Sequence, residues 1–237
     1  MRKMRLSPTA MNRFFACPAQ FEYGRWHKPK QTVPWLEYGI RVHALLEHDL
    51  DQDKATKSSG MSIAPQDIQT ATMLKDYAEL SGYKLTEKET KFQFEYGDIE
   101  FTGIIDAIGT WHGIPVLVDW KTTGKRWLVI GSRPPKGAGF QPVIYSLYSD
   151  VPNVHFIVSD GNTVDSFRFV CTETDVENLE QAVRLIQFAE ENDYYPKNRG
   201  FMCQYCDFGP LCYGSLPKEE LPNYYIRRTV NERENEE

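Results

Sequence analysis

The sequence predicts an α/β fold with a mixed central β-sheet flanked by helices. Three observations carry that expectation. Up to about Ser81 apolar residues recur at helical spacing, as Leu36, Ile40, Leu46 and Leu50 do. From Thr90 the period changes to two, with Phe92, Phe94 and Tyr96 on one side. Farther on, helix-like and strand-like stretches alternate, which is the order of a layered α/β domain.

Ser7-Pro8 reads as the N-cap and first residue of a helix that runs to about Cys17, where Pro18 interrupts it. A helix over about 35–52 places His43 and Glu47 four apart. Residues 53–65 are polar and small, so a loop is expected there. A helix over about 66–81 carries Ile68, Leu74 and Tyr77. Strands follow at Thr90–Tyr96, Ile99–Thr110 and Val116–Lys121, joined by turns at Gly97-Asp98 and His112-Gly113. Gly139–Ser149 reads as a helix with Gln141 and Tyr145 on one face. Val154–Val158 and Val164–Val170 are strands around Asp160-Gly161, and a helix over about 174–192 uses Leu179, Val183 and Ile186.

Composition narrows the function. No run of eighteen apolar residues exists, so no membrane helix is expected. No apolar stretch follows the basic Met1–Arg5, so the expected setting is cytoplasmic. No glycine loop with a following lysine is present, which argues against an ATPase motor. A net charge of −6 argues against nucleic acid, but its distribution does not. Residues 1–30 carry +6 through Arg2, Lys3, Arg5, Arg13, Arg25, Lys28 and Lys30 against Glu22. Residues 120–149 carry +5 through Lys121, Lys125, Arg126, Arg133 and Lys136, leaving −17 elsewhere. Local basic surface, not net charge, attracts a phosphate backbone. The aromatics Phe14, Phe15, Phe21, Tyr23 and Trp26 interleave with the first basic stretch, mostly as packing residues.

The chemistry is concentrated in two apolar strands. Gly103-Ile104-Ile105-Asp106-Ala107-Ile108 and Val116-Leu117-Val118-Asp119-Trp120-Lys121 each bury an aspartate in their pattern. A buried carboxylate is costly unless paired or bound to metal. Asp119 and Lys121 are two apart and face one side of a strand. A tight hairpin brings Asp106 to the same face. Two carboxylates and an ammonium so arranged suit phosphodiester hydrolysis with Mg²⁺ or Mn²⁺. The plainer reading is an Asp–Lys ion pair at a strand end.

These strings, followed by Gln141-x-x-x-Tyr145, resemble the RecB-like branch of the PD-(D/E)XK nuclease superfamily. The resemblance runs from Ser7 to Cys212 and implies a restriction-endonuclease-like core. It implies metal ligation by His43 of the Gly39-x-x-x-His43 pattern, by Asp106 and Asp119, and by the Trp120 carbonyl. It implies Lys121 as the catalytic lysine, with Gln141 and Tyr145 contacting substrate or supporting it. Glu89 matches an acidic position of some members.

Cys203-x₂-Cys206-x₅-Cys212 lacks a fourth ligand, and Cys17 is the candidate that completes the set. Cys171 sits within or at the end of a strand pattern and reads as a small buried hydrophobe. Four cysteines could hold Zn²⁺, although paired C-x₂-C knuckles are absent. The three-plus-one layout resembles iron–sulfur nucleases of the same branch, which implies a structural [4Fe–4S] cluster stapling the chain ends. The expected organisation is one nuclease domain over 1–216, with 1–30 and 194–216 forming the cluster-binding part, and a charged tail over 217–237. The resemblance implies a DNA exonuclease acting on single-stranded ends in repair, recombination or CRISPR adaptation. Recombination, helicase or CRISPR-adaptation proteins are its implied partners. Two alternatives stay open: a non-catalytic adaptor that binds DNA ends, and a structure-specific endonuclease.

Overall fold

The computed structural model describes residues 4–30, 34–123 and 138–228. In chain order these form β1 (Met4–Leu6), α1 (Pro8–Ala16), α2 (Pro18–Trp26), β2 (His27–Pro29), α3 (Pro34–Glu47), α4 (Gln52–Ser59) and α5 (Pro65–Leu80). The long strands β3 (Tyr83–Tyr96), β4 (Ile99–Trp111) and β5 (Ile114–Thr122) follow. Then come α6 (Gln141–Ser149), β6 (Asn153–Ser159), β7 (Val164–Val170), α7 (Glu173–Glu191), α8 (Gly209–Tyr213), α9 (Leu221–Tyr224) and β8 (Tyr225–Arg227). Arg2, Lys3, Lys125, Arg126, Arg133, Lys136 and the end of the charged tail lie outside the described residues.

The chain divides into two compact units. The first, the sheet unit, comprises Val33–Gln93 and Gly103–Asp175. In it β4 pairs antiparallel with β5, β5 parallel with β6, and β6 antiparallel with β7, so the sheet is mixed as expected. Ala107 lies opposite Val118, and Leu117 opposite Val154. Alternate residues Val116, Val118 and Trp120 join Ala107 and Ile157 in one core with Val42, Leu45 and Leu46 of α3 and Ala71 and Leu74 of α5. Residues of the other parity, Asp119 and Lys121, look toward α6, which packs on β6.

Two expectations need correction here. The polar stretch 53–65 is not a loop throughout, because α4 occupies Gln52–Ser59. Caps, not an apolar stripe, make this helix: the Asp51 carboxylate accepts from Lys54 N at 3.1 Å, and Gly60 ends it at φ +67°. Ala55 alone anchors it in the core. Strand β3 also starts earlier than Thr90. Its buried side holds Tyr83 and Leu85 before Glu89, but Phe92 and Phe94 after it. Glu89 sits at φ +48°, so the alternation slips by one residue there, as at a bulge.

The second unit contains Met1–Thr32, Phe94–Thr102 and Val176–Glu237. The Ser7 hydroxyl caps α1 by accepting from Ala10 N at 3.1 Å. Cys17 is extended (φ −165°, ψ 111°), ends α1 and starts α2, as a residue before proline must. Pro18 therefore restarts a helix that the sequence reading left out. Phe14, Phe21 and Tyr195 pack in series, and Arg25 pairs with Glu190. Lys218 to Arg228, expected as charged tail, instead form α9 and β8, and β8 pairs antiparallel with β2. No helix among the described residues is long and apolar enough to cross a membrane.

His155 on β6 gives this core a pH response. It is buried, with its Nδ1 2.8 Å from the Tyr83 hydroxyl. Burial, and then the Arg168 charge, push its imidazole down from 6.5 to about 4. The unfolded chain therefore binds more protons between those values. The His155 contribution is complete above pH 6.5 and lost as pH falls toward 4. We expect urea unfolding to lose at most about 3 kcal/mol across that window, and His155→Gln to flatten the loss. An unchanged acid limb in the variant would assign it to other groups.

Candidate active site

The site residues come from five elements of the sheet unit. Helix α3 is fixed first. The Arg41 guanidinium donates Nε to Asp67 Oδ2 at 2.7 Å and a terminal nitrogen to Oδ1 at 3.3 Å. Tyr38 and Thr70 hydroxyls lie 2.6 Å apart. Both bonds lock α3 to α5. A Cβ on Gly39 would come within 3.2 Å of Thr122 Oγ1, so glycine lets the helix approach the end of β5 closely. One turn farther on, His43 Nδ1 lies 3.5 Å from Asp106 Oδ2.

Strands β4 and β5 supply the carboxylates and the lysine. The register pairs their neighbours Ala107 and Val118. Asp106 Oδ2 accepts from Trp120 N at 2.8 Å. Lys121 Nζ lies 2.5 Å from Asp119 Oδ2. Helix α6 closes the set through Gln141. Its Oε1 accepts from Lys121 Nζ at 3.1 Å, and its Nε2 donates to Asp119 Oδ1 at 2.5 Å and to Tyr145 Oη at 2.6 Å. Tyr145 Oη donates in turn to the Ile104 carbonyl at 2.6 Å. The Tyr145 ring rests edge-on against Phe92, centroids 5.6 Å apart. Phe92 itself lies over Gly103, where a Cβ would come within 2.6 Å of the ring.

Glu89 joins from β3. The carboxylates of Glu89 and Asp106 and the His43 ring each place one ligand atom within 4.8 Å of the others. The left-handed backbone at Glu89 is the device that puts it there. In the sequence it is marked by the acidic position of the family resemblance and by the change of phase along β3.

The charges follow from this crowding. Burial opposes the charge on His43, but Asp106 outweighs it and pushes the imidazole up to about 9. Burial likewise opposes the Asp106 charge, and His43 outweighs it, holding that carboxyl low. Asp119, with a side chain 1 % exposed, is raised by burial, which Lys121 only partly offsets. Glu89 is pushed up to about 7 by burial and then by Asp106. Lys121 loses from burial and gains more from Asp119 and Asp106, so it stays an ammonium.

The donor set fits a divalent cation. Asp119 Oδ2 is buried and has the Lys121 ammonium, 2.5 Å away, as its close partner. Carboxylate oxygens with one imidazole suit Mn²⁺ as well as Mg²⁺. Asp106, Asp119, Lys121, Gln141, Tyr145 and His43 thus form one neighbourhood, with Trp120 contributing its N–H to Asp106. Cys17, Cys203, Cys206 and Cys212 belong to the second unit.

The sequence profile of the PD-(D/E)XK nuclease superfamily matches residues 5–213. The chain belongs to the PD-(D/E)XK nuclease superfamily. Among solved structures, it is similar to a Eubacterium rectale protein described as a "Putative exonuclease". The identity is 15 %, over 86 % of this chain and 88 % of that one, with a TM-score of 0.54. It is also similar to SSO0001 at 15 % identity, over 90 % of this chain and 87 % of that one, with a TM-score of 0.48. No curated protein matches it. As a PD-(D/E)XK chain, it carries the expected α/β core with a mixed sheet.

The Gln141–Tyr145–Ile104 bridge has a measurable worth. Tyr145→Phe removes an acceptor from Gln141 and a donor from the Ile104 carbonyl. We expect a loss of about 1–3 kcal/mol in urea unfolding. Unchanged stability would show that the hydroxyl is replaced by water.

Proposed function

We propose that this chain is a divalent-metal-dependent DNA exonuclease that shortens single-stranded ends. The observation that carries the reading is the convergence of Asp119, Asp106, His43 and the Lys121 ammonium, with Gln141 joining lysine to carboxylate. His43, Asp106, Asp119 and the Trp120 carbonyl are the proposed metal ligands, and the neighbouring Glu89 carboxylate supports the site. A bound cation supplies charge neutralisation at the phosphate and a lowered pKa for water. The rest falls to the chain. Lys121 holds its proton and offsets charge that builds on phosphate oxygens. Gln141 keeps Lys121 and Asp119 in register, and Tyr145 holds Gln141 against β4. The description of the Eubacterium rectale neighbour supports the choice of exonuclease over endonuclease.

The same reading assigns a [4Fe–4S] cluster to Cys17, Cys203, Cys206 and Cys212, with Zn²⁺ as the alternative. Two features support the four cysteines sharing one neighbourhood. Cys17 and Cys212 are near enough to Cys206 that, after burial and Asp207, their charges help push its thiol up, a cost that a bound cation would lift. Asn198 N donates to Cys17 Sγ at 3.4 Å, and Cys203 Sγ lies 3.7 Å from the Asn198 carbonyl. Such a cluster would tie the N-terminal helices to the C-terminal turns and leave phosphodiester chemistry to the aspartates.

End-labelled single-stranded DNA with Mn²⁺ tests the nuclease. We expect shortening by the wild type and a loss of at least about 10²-fold in Asp119→Ala and Lys121→Ala. Covalently closed circles should survive. Cutting of circles would shift the reading to an endonuclease, and binding without any cutting would shift it to an adaptor. For the cysteines, anaerobic purification should yield a brown protein with iron and sulfide, and Cys206→Ser should lose both colour and melting temperature. Zinc in a colourless wild type would overturn the cluster and leave the nuclease standing.

A further inference from the structure

The second unit holds a cavity of about 570 Å³ that the chemistry above does not use. Its floor comes from the pairing of β2 with β8. His27 lies opposite Arg227 across this ribbon, and Tyr225 is two residues from Arg227. Residues so related share one face. His27, Tyr225 and Arg227 therefore stand on the same side. Trp26, Leu221 and Pro222 add apolar wall, and Lys218 completes the lining.

The floor is firmly held. Tyr225 is 5 % exposed and stacks on Phe208, centroids 6.2 Å apart and planes 16° apart. Its hydroxyl donates to the Asp207 carbonyl at 2.8 Å. His27 meets the Tyr225 ring edge-on at 6.0 Å. Trp26 Nε1 donates to Glu22 at 2.5 Å, which sets the plane of the indole. Burial, with the Arg227 charge, keeps the His27 imidazole below its ordinary value and hence neutral.

The rim is different. Lys218 and Arg227 are exposed, and among the described residues neither has an ion-pair partner. A rigid aromatic and aliphatic hollow beneath two available cations recognises a flat apolar body that carries phosphate. Its volume falls in the range of about 300–1,000 Å³ typical of small-ligand sites. A stacked duplex cannot offer its bases to such a hollow, whereas an unpaired strand can.

We propose that this cavity binds a nucleotide unit of a single strand, the base against Trp26 and the phosphates on Lys218 and Arg227. The inference rests on the nucleic-acid substrate proposed above and adds a second hold on the strand outside the sheet unit. The holding is electrostatic at the rim and by stacking at the floor, and no covalent step takes place there.

Binding of a labelled short oligodeoxythymidylate by the full chain in chelator, where nothing is cut, tests it. Lys218→Ala/Arg227→Ala should bind at least about tenfold more weakly, with a salt slope smaller by about 1.4, or about 0.7 per lost phosphate contact. Trp26→Phe should retain folding and bind more weakly than wild type at unchanged salt slope. Unchanged affinity and slope in the folded double variant would overturn the site. So would equal competition by inorganic polyphosphate, which has no bases. The outcome is separate from cleavage. A protein that cuts but ignores these substitutions loses the cavity alone, and one that binds through them without cutting loses the nuclease alone.

Discussion

Asp119 is an acidic side chain removed from water almost entirely, and most of the sheet unit is arranged around that cost. A carboxylate at 1 % exposure is tolerated only when its charge is met at close range. Lys121, two residues on, meets it through space. Gln141 meets it through a hydrogen bond and holds the lysine as well. Because Gln141 spends both its N–H groups and its carbonyl here, the network has almost no freedom left. Asp119 Oδ2 is met by the Lys121 ammonium alone, and a buried carboxylate oxygen so placed can also face a cation.

That corner depends on supports that carry no chemistry of their own. Asp67 is buried and takes both Arg41 bonds and the Ala64 N–H, so α3 cannot rotate or slide without stranding a carboxylate. His43 inherits its position from this clamp and from the close approach at Gly39. On the other side, Phe92 wedges between Gly103 and Tyr145 and sets where α6 begins its contacts with β4. The electrostatics then follow from placement: an imidazole beside one aspartate and an ammonium beside the other divide the negative charge of the site.

The second unit has a different economy. Apart from the long helix α7 its elements are short, and its cysteines lie where α1 meets α2, in and just after the 3₁₀ turn Phe201–Tyr205, and in α8. Short elements of this kind hold little by burial alone. Thiolate ligation at the seam between the first helices and the last turns would supply what burial lacks. The ribbon of β2 and β8 also explains why its aromatic face can remain open at the cation-lined side.

Much of this was legible in the residue string. Asp106, Asp119 and Lys121 announce themselves because charged side chains interrupt strands that are otherwise apolar, and the period of two assigns Asp119 and Lys121 to one face. Gln141 and Tyr145 declare a shared helix face by their spacing of four. Helix α4 was not legible, since caps at Asp51 and Gly60 stabilise it with only Ala55 in the core. Nor was β8, whose partner β2 lies nearly two hundred residues away. Periodicity reports what a segment buries locally and says nothing of long-range partners. By itself, then, the sequence determined the layers, the strand-borne acids and the lysine. Only the tertiary structure decided that the Glu89 carboxylate reaches His43 and Asp106. That outcome needs a left-handed residue and a slipped register, and both are settled by packing against neighbouring strands.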